Sequence, residues 1–201
     1  VAFKKYNILT AQMLLTHEDL SNRERYLNAK NTLNNLIKYN AIPIINENDT
    51  VSTDEIKFGD NDTLAALVAN LSQAKLLIIL TDQDGLYTSD PKNNKSSKLV
   101  EEIALSDKNL NKYAGPSNSV LGRGGMITKV SAARKAAKSN TQTIIANGTN
   151  KDILIKILNK EDNIGTKIFN KDSAVKSKKQ WIANSLKVKG YFSKYFRLIT
   201  L

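Results

Sequence analysis

Lys75-Leu76-Leu77-Ile78-Ile79-Leu80-Thr81-Asp82-Gln83-Asp84-Gly85 is the stretch that decides the fold class. Its aliphatic run, Leu76 to Leu80, stops abruptly in a polar turn. A short continuous apolar run bounded by turn residues suits a strand buried on both faces, the situation of a parallel sheet covered by helices. Asp82, Asp84 and Gly85 supply the turn, because Asx side chains bond nearby backbone and glycine accepts unusual torsions. Working outward, Asp60-Asn61-Asp62 opens a helix with apolar Leu64, Leu67, Val68 and Leu71. On the other side, a glycine-rich loop, Gly122 to Gly125, leads into an alanine-rich helix predicted over Met126 to Ser139. A strand over 143–146, a helix over 153–158 and a strand over 166–169 follow.

The N-terminal part continues the alternation. Asn7 to Leu15 predicts a strand. Ser21-Asn22-Arg23-Glu24 has the form of a capping box, with Ser21 as cap. Tyr26, Leu33, Leu36 and Ile37 then recur at helical spacing to about Tyr39, and Asn40 ends that helix. Ala41-Ile42-Pro43-Ile44-Ile45 predicts a short strand, and the polar segment 46–59 has room for a small hairpin. Alternating strands and helices predict an α/β fold with an open, largely parallel sheet and helices on both faces.

Composition narrows the function classes. The 201 residues contain no cysteine and one histidine, His17. That excludes a disulfide scaffold, a thiolate metal site, a cysteine nucleophile and any site needing two imidazoles. No apolar run approaches the roughly 20 residues of a membrane span, and Val1 to Lys5 has no secretory pattern. The expectation is a cytoplasmic protein without a membrane partner. The net charge of +11 is uneven: residues 171–201 carry eight lysines and arginines against Asp172 alone. A solvated basic tail is the plainer reading, and attraction to nucleic acid the less expected one, because lysine far outnumbers arginine. His17 is expected on a surface loop, the charged start Arg23-Glu24-Arg25 is read as structural, and Trp181 as the anchor of the tail.

In open α/β sheets ligands bind beyond the carboxyl ends of the strands. Three polar clusters fall there: Asn46-Glu47-Asn48-Asp49, Thr81-Asp82-Gln83, and Gly122-Arg123-Gly124-Gly125 before a helix. The last joins flexible glycines, free helix-start amides and Lys129 in the first turn, a combination that favours phosphate. It is neither a Walker A loop nor a dinucleotide fingerprint, and a plain connector is the alternative. Asp60 or Asn61 can serve merely as a helix cap; alternatively Asn61 holds a substrate carboxylate or ammonium, and Asp62 orients a lysine or a metal. Asn46 to Asp49 is either a polar turn or an ammonium site. Thr81-Asp82 either closes an Asx turn or meets a nucleotide.

The ordered set of motifs closely resembles the amino-acid kinase family, in the branch that phosphorylates free glutamate. The set comprises Gln12-Met13-Leu14-Leu15-Thr16, Arg23 to Ala29, Ile45-Asn46-Glu47-Asn48-Asp49 and Gly59-Asp60-Asn61-Asp62. It continues with Thr81 to Thr88, Asp90-Pro91, Gly124-Gly125-Met126 with Thr128-Lys129, and Lys179 to Ile182. The resemblance runs over about residues 6–190. It implies ATP-dependent phosphorylation of the L-glutamate γ-carboxylate, the first step of proline biosynthesis, with Mg²⁺. By resemblance Asp49 and Asn61 match glutamate-binding positions, and Thr81 and Asp82 match nucleotide positions. Arg123, Gly124, Gly125, Met126, Ile127, Thr128 and Lys129 match a second nucleotide loop. Lys129 matches the lysine that stabilises the transferring phosphoryl group, and Asp62 the aspartate that organises catalytic lysines. Association into a homo-oligomer is also implied.

Some family features are not found in these residues. The family's opening strand with its Lys-x-Gly-x-Ser loop, and its Ser-Gly-Ala segment, have no counterpart here. Residues 1–170 are therefore expected to be the C-terminal two-thirds of a kinase domain. Residues 171–201 are expected to be a basic tail where the family links to an RNA-modification-type PUA domain, and Tyr191 to Leu201 depart from the pattern. Arg123 stands where a small hydroxyl residue is common. The alternative expectation is a catalytically incomplete fragment, a remnant or split-gene product, that binds nucleotide or a partner without turnover.

Overall fold

The computed structural model describes residues 2–51, 60–115, 125–171 and 198–200. Strands β1 (Thr10–Leu15) and β2 (Ile42–Glu47) pair in parallel as a two-stranded sheet. A second sheet holds β3 (Leu76–Thr81), β4 (Glu102–Ala104), β5 (Gln142–Asn147), β6 (Thr166–Phe169) and β7 (Leu198–Thr200), in the order β4-β6-β5-β3-β7. Every described pairing between these strands is parallel except β5 with β6. The expected α/β class and largely parallel pairing are present, and the strands are divided between two sheets. The positions of β4 and β7 have no periodic signal in the sequence, because strands of three residues are too short to display one.

The aliphatic run of β3 is buried on both sides, as its composition demanded. Leu77 and Ile79 face one core with Ile145 of β5, Ile103 of β4 and Ile168 of β6. Ile78 faces the opposite core with Ala146. Helix α6 (Ile153–Asn159) covers that second face through Ile153 and Ile157. Helices α3 (Asn61–Ser72) and α5 (Met126–Ala136) cover the first. Their contact is made of alanines: Ala65, Ala66 and Ala69 against Ala132, Ala133 and Ala136. Small side chains let the backbones approach, so the Asn70 side-chain amide donates to the Lys135 carbonyl at 3.1 Å. The Lys135 ammonium also reaches Thr63 Oγ1 at 3.0 Å. Contacts near the two N-termini and again one to two turns later show that α3 and α5 run side by side in the same direction.

Among the described residues, the two-stranded sheet is docked on one face only. Met13 and Leu15 of β1 pack with Leu64, Val68 and Leu71 of α3 and with Ala29 and Leu33 of α2 (Arg23–Lys38). Alternation turns Leu14, Ile42 and Ile44 outward, each more than two-fifths exposed.

The capping box lies five positions before the one its sequence suggested. A short helix, α1 (His17–Ser21), absorbs Ser21 as its last residue. Thr16 is the cap: its Oγ1 accepts from the Asp19 N–H, and Asp19 Oδ2 accepts from the Thr16 N–H at 2.7 Å. Asn22 then caps α2, accepting from Glu24 N–H at 3.0 Å and Arg25 N–H at 3.2 Å. Ser21 cannot cap because its backbone is already helical, whereas Asn22 is extended. Arg25 clamps the junction, reaching Glu18 at 2.7 Å and Asp19 at 2.8 Å, so the charged start of α2 has a structural use. His17 is on the surface as expected, though as the first residue of α1 rather than in a loop. The expected hairpin within 46–59 and the anchoring residue Trp181 lie outside the described residues.

Candidate active site

The site is built at the N-termini of the two parallel helices. Asp60 caps α3: Oδ1 accepts from the Thr63 N–H at 2.6 Å, and Oδ2 accepts from the Thr63 hydroxyl at 3.2 Å. Asp60 is therefore engaged as a cap. Asn61, in the first helical position, is exposed. Asp62, one residue on, turns inward and is buried. At α5, Gly125 is the extended residue before the helix. Met126 and Ile127 follow half-buried, Thr128 is half-buried, and Lys129 is buried.

The parallel helices bring these two starts together. Lys129 Nζ donates to Asp62 Oδ2 at 3.0 Å, and each side chain keeps about 11% of its surface exposed. The Thr128 hydroxyl lies 2.8 Å from the same Oδ2. Such a pair is costly to desolvate and persists only when closely hydrogen-bonded, as here. The positive end of the α5 dipole adds to the lysine charge. The arrangement suits stabilisation of negative charge developing at the start of α5. Arg123 and Gly124 of that loop lie outside the described residues.

A second polar group gathers at the carboxyl ends of β3 and β5. Thr81 Oγ1 donates to Asp82 Oδ1 at 3.1 Å, with Thr81 half-buried and Asp82 exposed. The Gly148 N–H closes on the Thr81 carbonyl at 2.8 Å. Beyond the turn, Asp84 accepts from Asn147 Nδ2 at 3.0 Å and from the Tyr87 hydroxyl at 3.1 Å. Burial pushes the Tyr87 phenol up, and the hydrogen bond to Asp84 and its negative charge push the same way. Asp84, Asn147, Asn150 and Asn163 line a cavity of about 320 Å³. Asn147 had no signal in the sequence, because its partner lies 63 positions away.

Asp49 is exposed in the turn after β2. The described contacts do not join it to the Asp62–Lys129 pair. Among the described residues, no group of three His, Cys, Asp or Glu side chains converges as a metal cage. Asp62, the best-placed carboxylate, is already held by an ammonium and a hydroxyl. Also among the described residues, no helix is long and apolar enough to cross a membrane.

Residues 2–147 match the family model of the amino acid kinase family. The chain belongs to the amino acid kinase family. Within that family it is 53% identical to glutamate 5-kinase of Nitrosospira multiformis over 188 residues, 94% of this chain and 50% of the relative. It is 52% identical to glutamate 5-kinase of Nitrosomonas eutropha over 189 residues, with the same two shares. The chain thus spans about half the length of these curated relatives. Among solved structures, UMP kinase from Ureaplasma parvum superposes with a TM-score of 0.58 at 16% identity, covering 84% of this chain and 63% of that one. An isopentenyl phosphate kinase from T. acidophilum gives 0.54 at 19% identity, covering 83% and 62%. Both are likenesses of fold, in keeping with the α/β class read from the strand and helix order.

Proposed function

We propose that this amino acid kinase chain takes part in ATP-dependent phosphorylation of the γ-carboxylate of L-glutamate. The observation that carries the proposal is the buried Lys129–Asp62 pair, formed where the N-termini of α3 and α5 meet. Identity above 50% to glutamate 5-kinases supports the choice of glutamate as acceptor. A γ-carboxylate oxygen attacks the γ-phosphorus of ATP. The bond from that phosphorus to the β,γ-bridging oxygen breaks, and ADP leaves. The products are γ-glutamyl phosphate and ADP, the opening step of proline biosynthesis. Little covalent chemistry falls to the protein, so positioning and electrostatics do most of the work.

Each residue then has a part. Lys129 offsets the charge that spreads over the transferring phosphoryl group, and Asp62 holds Lys129 in place. Arg123 to Thr128 serve as the second nucleotide-binding segment. Thr81 and Asp82 bind the nucleotide at the end of β3. Asp49 takes the glutamate ammonium, while Asn61 offers its side-chain amide to a carboxylate. Mg²⁺ arrives on the triphosphate, consistent with its preference for substrate phosphates and water over all-protein cages. Residues 1–170 form the kinase part and 171–201 the basic tail. The setting is cytoplasmic, and copies associate through the kinase part.

The test is formation of γ-glutamyl phosphate, trapped with hydroxylamine, from glutamate and Mg·ATP. The 201-residue chain is compared with its Lys129→Ala variant, alone and with the N-terminal segment of a glutamate 5-kinase relative supplied. Glutamate-dependent product that is lost in the variant supports the proposal. No product under either condition overturns it.

A further inference from the structure

Thr128 has one hydroxyl proton and two acceptors within reach. Its Oγ1 is 2.8 Å from Asp62 Oδ2 and 2.7 Å from the Gly125 carbonyl oxygen. A hydroxyl donates once and accepts twice, so only one of these contacts is a donated bond. A threonine at a helix start commonly donates to the carbonyl three residues back. Two facts direct the proton elsewhere here. The Gly125 carbonyl already accepts from the Thr128 N–H at 3.0 Å, so it is not left unsatisfied. Asp62 is a buried carboxylate in an ion pair, and a charged acceptor forms the stronger bond.

The choice of oxygen matters. Thr128 and Lys129 converge on Oδ2 of Asp62. A single ammonium contact leaves a carboxylate free to turn about its terminal torsion. Two donors from consecutive residues of α5, both held to Oδ2, fix that torsion. We infer that Thr128 is a positioning residue, whose hydroxyl sets the Asp62 carboxylate so that Lys129 is aimed at the phosphoryl-transfer site. This adds to the proposed function and rests on it for the role of Lys129. The geometric claim about Asp62 does not.

Three forms of the full chain decide it: the parent, Thr128→Val, which keeps the branched shape without the hydroxyl, and Thr128→Ser, which keeps the hydroxyl. Crystal structures report the Asp62 carboxylate directly. The expected result is a turned carboxylate with a redirected Lys129–Asp62 contact in Thr128→Val and the parent arrangement in Thr128→Ser. A carboxylate unmoved in Thr128→Val, or equally displaced in both variants, overturns the inference. Hydroxamate assays with the complementing segment add a kinetic arm. There kcat falls about tenfold in Thr128→Val, as for loss of one hydrogen bond to a charged group. KM for glutamate holds, and Thr128→Ser restores kcat. A matching loss in both variants, or a loss confined to KM, counts against the inference. Absence of turnover in the parent counts against the proposed function alone, and the carboxylate geometry still decides this one.

Discussion

Lys129 Nζ stands 3.0 Å from Asp62 Oδ2, across an interface between two helices that begin 65 positions apart in the chain. Each charge offsets part of the other's desolvation cost, so removing one from this buried pair is destabilising. Asp62→Asn is therefore expected to be destabilising by on the order of 3 kcal/mol, read from the shift of the urea midpoint. The same substitution is expected to lower hydroxamate formation by about 10²–10³, the scale of losing one preorganised electrostatic group. An activity loss without any change in midpoint would show that the pair is not buried as described.

A hydroxyl deep in the larger sheet gives a second prediction. Thr166 is fully buried, and its Oγ1 accepts from the Leu86 N–H at 2.7 Å. Gly85 lies against it: a Cβ there would fall 2.5 Å from the same oxygen. Thr166→Val keeps the volume and orphans a buried amide, with an expected cost of about 1–3 kcal/mol. Gly85→Ala is expected to cost at least as much, since it displaces the hydroxyl and places alanine at φ +157°. Thermal melts of the two variants check this, and an unchanged Tm for Thr166→Val refutes it.

The Thr16–Asp19–Arg25 cluster makes stability depend on acid. Burial alone would raise the Asp19 carboxyl, but hydrogen bonds from the Thr16 N–H, the Thr16 hydroxyl and Arg25, with the charge of Arg25, hold it below its ordinary value. A depressed carboxyl stabilises the fold above the unfolded pKa of about 3.9, and that contribution is lost as pH falls through the lower folded value. Urea midpoints measured from neutral pH downward are expected to drop across that window. Asp19→Asn is expected to flatten part of the drop. A parallel decline in the variant would assign the acid sensitivity elsewhere.

Leu14, Ile42 and Ile44 form an exposed apolar row on the outward face of the two-stranded sheet. Contiguous exposed apolar surface binds hydrophobic dyes. The double variant Ile42→Thr, Ile44→Thr is expected to lower ANS fluorescence with a stability change of about 0.5 kcal/mol or less per site, as for exposed positions. Undiminished dye binding would place the apolar surface elsewhere.

Much of the architecture was legible because it is local. The run Leu76 to Leu80 declared a buried strand, and Asp60 declared a helix start that the structure caps as expected. The helix predicted over 126–139 runs as α5 to Ala136 and closes in a 3₁₀ turn over 137–139, and the strand over 166–169 falls where its pattern places it. Ser21 misled for an equally local reason. Two cap-competent polar residues, Ser21 and Asn22, stand side by side, and a five-residue helix has too few positions to show a period.

What the sequence by itself determined is therefore the α/β alternation, the polar loops beyond the strands and the residue types available for phosphate chemistry. These depend on spacings of two to four residues, which sequence displays directly. The tertiary structure alone decided that Asp62 meets Lys129 and Thr128, that Asp84 meets Asn147 and Tyr87, and that the strands form two sheets. Those partnerships depend on the close alanine contact between α3 and α5 and on the order in which strands pair. Both arise from packing among segments far apart in the chain, which no local pattern encodes.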